Sequence, residues 1–297
     1  MSASPVIFDR KLLRMRRARA AALGPSTFLI DRAAEDIAER LATVLRRFDL
    51  AVDLGTPTDA VRRVLTASGK VGAVVAADAH AMSDVSLTVA ADEEALPFRD
   101  GALDLVVSAL ALQFVNDLPG TLVQIRRTLK PDGLFLAALA GGDTLTELRQ
   151  SFAAAEAEIE AGASPRVAPF ADLRALGALL QRGGFALPVA DVERLTVRYA
   201  SPIALMQDLR RMGATNALVE RARRPLRRAT LARMMEIYAE RFADPDGRIR
   251  ATFEIVWLSG WAPHESQQQP LRPGSAQRRL ADALGTTEQS AGEKAKR

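Results

Sequence analysis

Between residues 50 and 139 the chain alternates short, continuous apolar runs with stretches of helical period. Residues 50–55, 71–78, 87–92, 103–108 and 133–139 read as strands, and 60–67 and 117–129 as helices between them. Strands that are apolar at nearly every position need cover on both faces, which predicts an α/β domain with a mostly parallel sheet and helices on either side. In open sheets of this kind ligands bind beyond the carboxyl ends of the strands, near the point where strand order reverses.

Before this block, residues 26–47 predict a helix: Phe28, Ile30, Ala34, Ile37, Leu41, Val44 and Leu45 recur at helical spacing, with Asp31, Glu35 and Asp36 towards its front end. After it, Thr144 and Glu147 stand at capping-box spacing and predict a helix to about residue 161. A second helix, 172–182, stops at Gly183 and Gly184. These two make a helical insertion near 143–183. Residues 192–199 read as a strand, Ser201-Pro202 as a helix start, 219–242 as a basic helix, 244–247 as a turn and 249–258 as the last strand. The expected organisation is a basic N-terminal helix within 1–25, one domain over 26–260, and a polar tail, 263–297, without stable structure.

Composition narrows the chemistry. Of 297 residues, 48% are hydrophobic and 26% charged, and 40 basic against 36 acidic side chains leave +4, the balance of an ordinary globular protein. With no cysteine, disulfides, thiolate metal sites, iron–sulfur clusters and cysteine nucleophiles are excluded. The two histidines, His80 and His264, supply a zinc site or a Ser-His-Asp hydrolase poorly, and no spacing joins them as an iron site, so no metal is expected. The arginines at 210, 211, 221, 223, 224, 227 and 228 read as solvated helix faces; with only 5% aromatic residues there is no support for base stacking, and nucleic acid is not an expected partner. No apolar run approaches the ~20 residues of a membrane helix.

Three strand ends carry candidate chemistry. Asp53-Leu54-Gly55 offers a glycine where a tight turn would bring backbone close to a ligand, although turn geometry alone also explains it. Asp78 is placed to accept from ribose hydroxyls, and Asp92-Glu93-Glu94 could meet an amino group or simply be solvated. In order, Asp53-Leu54-Gly55, Asp78, Ala91-Asp92-Glu93-Glu94-Ala95-Leu96-Pro97-Phe98, Leu103-Asp104 through Ser108, and Leu129-Lys130-Pro131-Asp132-Gly133 resemble the motif set of class I S-adenosylmethionine-dependent methyltransferases. More narrowly, Phe8-Asp9-Arg10, the block from Leu112 through Val115-Asn116-Asp117-Leu118-Pro119, Gly141-Gly142-Asp143-Thr144-Leu145 with Glu147-Leu148-Arg149, Ser164-Pro165, Pro169-Phe170 and His264-Glu265-Ser266-Gln267 resemble the methyltransferase-fold assembly factors of respiratory complex I and their alphaproteobacterial relatives. The methyltransferase of early biotin synthesis is a more distant likeness. The resemblance spans about residues 8–275.

The resemblance implies a Rossmann-like class I methyltransferase fold, with a seven-stranded sheet and an antiparallel last strand. It implies an S-adenosylmethionine pocket with Asp53 and Gly55 in the first loop, Asp78 on ribose, Asp92 and Glu93 near adenine, and Ser108 as a wall. It also implies a protein substrate or partner, a complex I subunit. Some members are methyltransferases, and the mitochondrial one is associated with hydroxylation of an arginine. Because the match begins at residue 8, the arginine-rich start is expected to belong to the domain, and the protein to be bacterial and cytoplasmic. No catalytic residue can be named, since methyl transfer rests on alignment of the reacting groups. The chain departs from the family's D-L-G-x-G-x-G: it reads Gly55-Thr56-Pro57-Thr58-Asp59, and Pro57 removes a donor while Asp59 adds a side chain and a charge. Weak cofactor binding is one expectation; an assembly factor without turnover, or an arginine hydroxylase, is the alternative.

Overall fold

The computed structural model describes residues 5–79, 87–268, 275 and 280–287. The chain forms two units, Met1–Pro263 and His264–Arg297. The first begins with helices α1 (Arg10–Ala22) and α2 (Phe28–Thr43), followed by β1 (Phe48–Leu54), α3 (Ala60–Ala67), β2 (Val71–Asp78), β3 (Thr88–Ala90), β4 (Leu103–Ala109), α4 (Leu118–Thr128) and β5 (Leu129–Ala140). Then come α5 (Thr146–Glu160), α6 (Leu173–Arg182), β6 (Ala186–Tyr199), α7 (Pro202–Arg211), α8 (Arg228–Phe242) and β7 (Ile249–Trp261). The seven strands run in the order β3-β2-β1-β4-β5-β7-β6. Pairings through β5 are parallel, and β7 pairs antiparallel with both β5 and β6. The strand order therefore reverses between β1 and β4.

The continuous apolar strands are covered on both faces. Ala51, Leu105, Val107, Leu134 and Leu136 face Ile30, Ala33, Ile37 and Leu41 of α2 and Val61 and Leu65 of α3. The alternate positions Val52, Leu54, Val106, Phe135 and Ala137 face Leu122 and Ile125 of α4 and Leu176 and Leu180 of α6. A third core joins α5, α7 and α8 to β7 through Leu148, Phe152, Leu205, Met234, Ile237 and Phe253. The expected insertion is thus two different things: α5 belongs to this third core, whereas α6 covers the sheet.

Two local expectations are corrected. Thr144 does not cap a helix. Its hydroxyl donates to the Glu254 carbonyl and accepts from the Glu254 amide, both at 3.0 Å, while the Glu147 carboxylate accepts from the Thr252 amide at 3.0 Å. Both side chains clamp β7, and α5 begins two residues later at Thr146. Residues 219–227, expected to be helical, are not. Pro225 has no N–H to give and pushes Arg224 out of helical backbone, so α8 starts at Arg228.

The second unit holds α9 (Leu280–Leu284), with the Thr286 amide donating to the Ala281 carbonyl. That corrects, over five residues, the expectation of a structureless tail; residues 269–274, 276–279 and 288–297, and His80, lie outside the described residues. No described helix is long and apolar enough to cross a membrane.

Ile37 has no exposed surface where α2 meets the sheet. Ile37→Ala is expected to cost about 2–5 kcal/mol, read as a lower urea midpoint with an unchanged slope.

Candidate functional site at the carboxyl edge of β1 to β3

Because β1, β2 and β3 lie side by side, the residues that follow them share one rim. The Gly55 amide donates to the Ala77 carbonyl at 2.8 Å, and the Ala91 amide donates to the Asp78 carbonyl at 3.0 Å. Gly55 has φ +69°, a left-handed conformation that a side chain would strain. A Cβ there would also stand 2.6 Å from Glu93 Oε1, so the Glu93 carboxylate lies directly against the turn. Sequence-named Gly55, Asp78, Asp92 and Glu93 therefore stand at one edge of the sheet.

Helix α1 answers these acids with arginines. The Arg10 guanidinium donates to Asp92 at 2.8 Å and also pairs with Glu93; Arg14 pairs with Asp92. Arg17 Nη1 lies 3.7 Å from Glu93 Oε1 and 3.5 Å from the Gly55 carbonyl, and its guanidinium sits 5.9 Å from the Phe114 ring centre. Burial lowers the Arg17 pKa, while the charges of Glu93 and Asp78 oppose that shift. The helix is also held at its N-terminal end. Asp9 caps it by accepting from the Leu12 amide, and the Asn116 side chain accepts from the Ile7 and Phe8 amides and donates to the Phe8 carbonyl.

Asp53 and Ser108 have internal roles. Asp53 Oδ2 accepts from Arg62 at 2.8 Å, and its Oδ1 is buried without a hydrogen-bond partner among the described residues. Burial pushes the carboxyl up to about 7, against the lowering effects of Thr56 and Arg62. The Ser108 hydroxyl, fully buried, donates to the Leu54 carbonyl at 2.7 Å and ties β4 to β1. It is a clamp within the sheet, and Leu110, at the same strand end, lines the neighbouring cavity.

Next to the acidic rim lies a cavity of about 290 Å³. Its walls are mostly apolar, among them Phe8, Phe114, Leu145, Leu148, Phe170 and Met206. None of Asp53, Gly55, Asp78, Asp92, Glu93 and Ser108 lines it, but Pro57, Arg17 and Gln113 do. The first loop thus meets the cavity through its proline. Asp59, by contrast, is half exposed and pairs with Arg63 at 2.9 Å, so its charge is answered on α3 and it is not part of the wall. The block Gly141 to Leu148 forms the far side. A Cβ at Gly141 would clash with the Glu254 carboxylate and stand 2.8 Å from Val256 Cγ2, so glycine lets the chain after β5 lie against β7 and set Leu145 and Leu148 in the wall.

Three residues that matter here were not picked out from the sequence. Asn116 stood within a quoted motif without a role. Gln113 falls within the same block, again without a role, and Arg17 is one of many arginines in the basic start. No group of three or more His, Cys, Asp or Glu side chains among the described residues suits a metal ion. As chemistry, the rim offers carboxylates to hydroxyls, amines or a cation, and the cavity offers a dry, shaped space beside it. That donor set fits an adenosyl sulfonium cofactor once the α1 guanidiniums share or yield the acids.

Gly55→Ala is expected to cost about 1–2 kcal/mol from backbone conformation alone, and more where Glu93 is present. A double-mutant cycle with Glu93→Ala should therefore show the alanine better tolerated in the truncated background; equal costs would contradict the contact. Asp53 generates a pH expectation. Its carboxyl is raised above the unfolded value of about 3.9, so the native state retains a proton that the unfolded chain gives up. The stability it contributes falls as pH rises from about 4 to about 7, by up to about 1.4 kcal/mol per unit. Urea titrations should show the difference between wild type and Asp53→Asn shrinking across that range, and a constant difference would contradict it.

Comparison with known proteins agrees with this geometry. Residues 52–137 match the family described as methyltransferase domain. The chain is 40% identical to the Homo sapiens arginine-hydroxylase NDUFAF5, mitochondrial, over 91% of its length and 81% of that protein. It is also 40% identical to a malonyl-acyl-carrier-protein O-methyltransferase of Gallionella capsiferriformans, over 60% of this chain and 58% of that one. The YcgJ protein of Bacillus subtilis superposes with a TM-score of 0.51 at 14% identity, covering 78% of this chain and 99% of that structure, a likeness of fold. A seven-stranded sheet with one reversed strand, acids at consecutive strand ends and extended identity to these proteins have one reading: the chain belongs to the NDUFAF5 family and carries the fold of S-adenosylmethionine-dependent methyltransferases.

Proposed function

We propose that this protein binds S-adenosylmethionine along the rim formed by Gly55, Asp78, Asp92 and Glu93, and acts on a protein substrate in the assembly of respiratory complex I. The observation that carries the reading is the meeting of these residues at the carboxyl ends of three adjacent parallel strands, beside a largely apolar cavity. On this reading Asp78 accepts from ribose hydroxyls, and Asp92 and Glu93 accept from the base's amino group. When bound, the cofactor supplies an electrophilic methyl group. The apolar walls exclude water from the space next to it, and alignment within that space is the protein's main contribution.

The partner follows from kinship with the arginine-hydroxylase relatives, whose name also makes a protein arginine a candidate group to be modified. A second reading, an assembly factor without turnover, draws on a specific observation: Arg10, Arg14 and Arg17 lie against acids that the cofactor needs.

Calorimetric titration with S-adenosylmethionine separates the two. Wild type should bind, and the Arg10→Ala/Arg14→Ala variant should bind about 2- to 10-fold more tightly, because the three ion pairs that Arg10 and Arg14 make with Asp92 and Glu93 no longer compete for the carboxylates. Absence of binding in both proteins would favour the second reading. Weaker binding in the variant would make the two arginines part of the cofactor site.

A further inference from the structure

The cavity has a polarity pattern of its own. Among the described residues no acidic side chain lines it, and the two arginines that do differ in what holds them. Arg166 is committed to Glu156, with Nε donating at 2.7 Å. Arg17 makes only long approaches, 3.5 Å to the Gly55 carbonyl and 3.7 Å to Glu93, and its buried Nη2 has no hydrogen-bond partner among the described residues. Its side chain is only 15% exposed. A desolvated guanidinium with an unmet donor is costly, and a carboxylate is the partner that matches its fork.

A second unmet group lines the same cavity. Gln113, on the 3₁₀ turn that follows β4, has its Oε1 buried without a hydrogen-bond partner among the described residues. The other polar side chains on the wall include some already engaged. Thr144 is bonded to Glu254, and Asn216 donates to the Pro165 carbonyl and accepts from the Leu218 amide. An unmet cationic donor and an unmet neutral acceptor ask for opposite things. A ligand bearing only an anion leaves Gln113 unsatisfied, and one bearing only a cation meets Arg17. A zwitterion, carboxylate and ammonium on one carbon, satisfies both.

Pro57 lies on this wall, and it is the loop residue that removes a backbone donor. We infer that Arg17 and Gln113 together receive the α-amino-acid end of the cofactor, the carboxylate on the Arg17 guanidinium and the ammonium on Gln113 Oε1, in place of the amide missing at Pro57. The inference rests on the cofactor reading and adds to it the two residues that select a ligand with an amino-acid end. For the carboxylate to reach Nη2, the guanidinium turns from Glu93 towards the cavity it already lines. Glu93 is then released to the nucleoside.

Two nucleosides test this by calorimetry: S-adenosylhomocysteine, which has the amino-acid end, and 5′-methylthioadenosine, which lacks it. Wild type should prefer S-adenosylhomocysteine by tenfold or more. Arg17→Gln should weaken S-adenosylhomocysteine about tenfold and leave methylthioadenosine within about threefold, so that the preference collapses, while Arg17→Lys should keep part of it. Gln113→Leu, which leaves α1 untouched, should narrow the preference by a few-fold and serves if Arg17 variants fold poorly. If both nucleosides bind wild type and neither Arg17→Gln nor Gln113→Leu changes their ratio, the inference is overturned while the cofactor reading stands. If neither nucleoside binds wild type, the cofactor reading falls and the inference falls with it.

Discussion

Carboxylates gathered at one end of a parallel sheet repel one another, and in this protein arginines relieve that repulsion. Arg62 answers Asp53 inside the domain, and Arg10, Arg14 and Arg17 answer Asp92 and Glu93 from α1. These pairs fix α1 across the edge of the sheet, and with it Phe8, which packs edge-on against Phe114 at 5.6 Å. The Phe114 ring in turn meets Phe170, so the aromatic wall of the cavity follows from where the acids hold the helix. The site and its cover share the same charges.

On the proposed reading, that sharing lets a domain with an altered first loop keep the rest of a nucleoside site. The acids would be poorly tolerated at one edge without cations, and a sulfonium nucleoside is itself a cation. On that reading, side chains on α1 stabilise the protein before a ligand arrives and compete with it afterwards. The block from Gly141 to Leu148 contributes on the other side, where glycine permits close contact with Glu254 and Thr144 and Glu147 tie β5 to β7. Its distinctiveness reflects this clamp, which shapes the cavity without touching the rim.

The parallel sheet was legible because its strands are apolar at consecutive positions, which only a doubly covered sheet tolerates. Asp78, Asp92 and Glu93 were legible because strand ends show in that pattern, and ends of neighbouring strands meet in space. Arg17 and Gln113 were not. Arg17 sits on a helix outside the alternation, and nothing local tells that it folds back over Glu93 while Arg19 does not. Thr144 and Glu147 have the spacing of a helix cap, but β7 offers the same groups a closer set of backbone partners. The stretch 219–227 had helical composition, and one residue, Pro225, outweighed it.

Hydrogen exchange in α1 tests the shared-charge account most directly. If Asp92 and Glu93 pass from the α1 arginines to a nucleoside, amides in the first turns of α1 should lose protection when S-adenosylhomocysteine saturates the protein, while those of the central strands β1 and β4 should gain or hold theirs. Saturation that leaves α1 protection unchanged would show that helix and ligand do not share the acids, and would contradict the account.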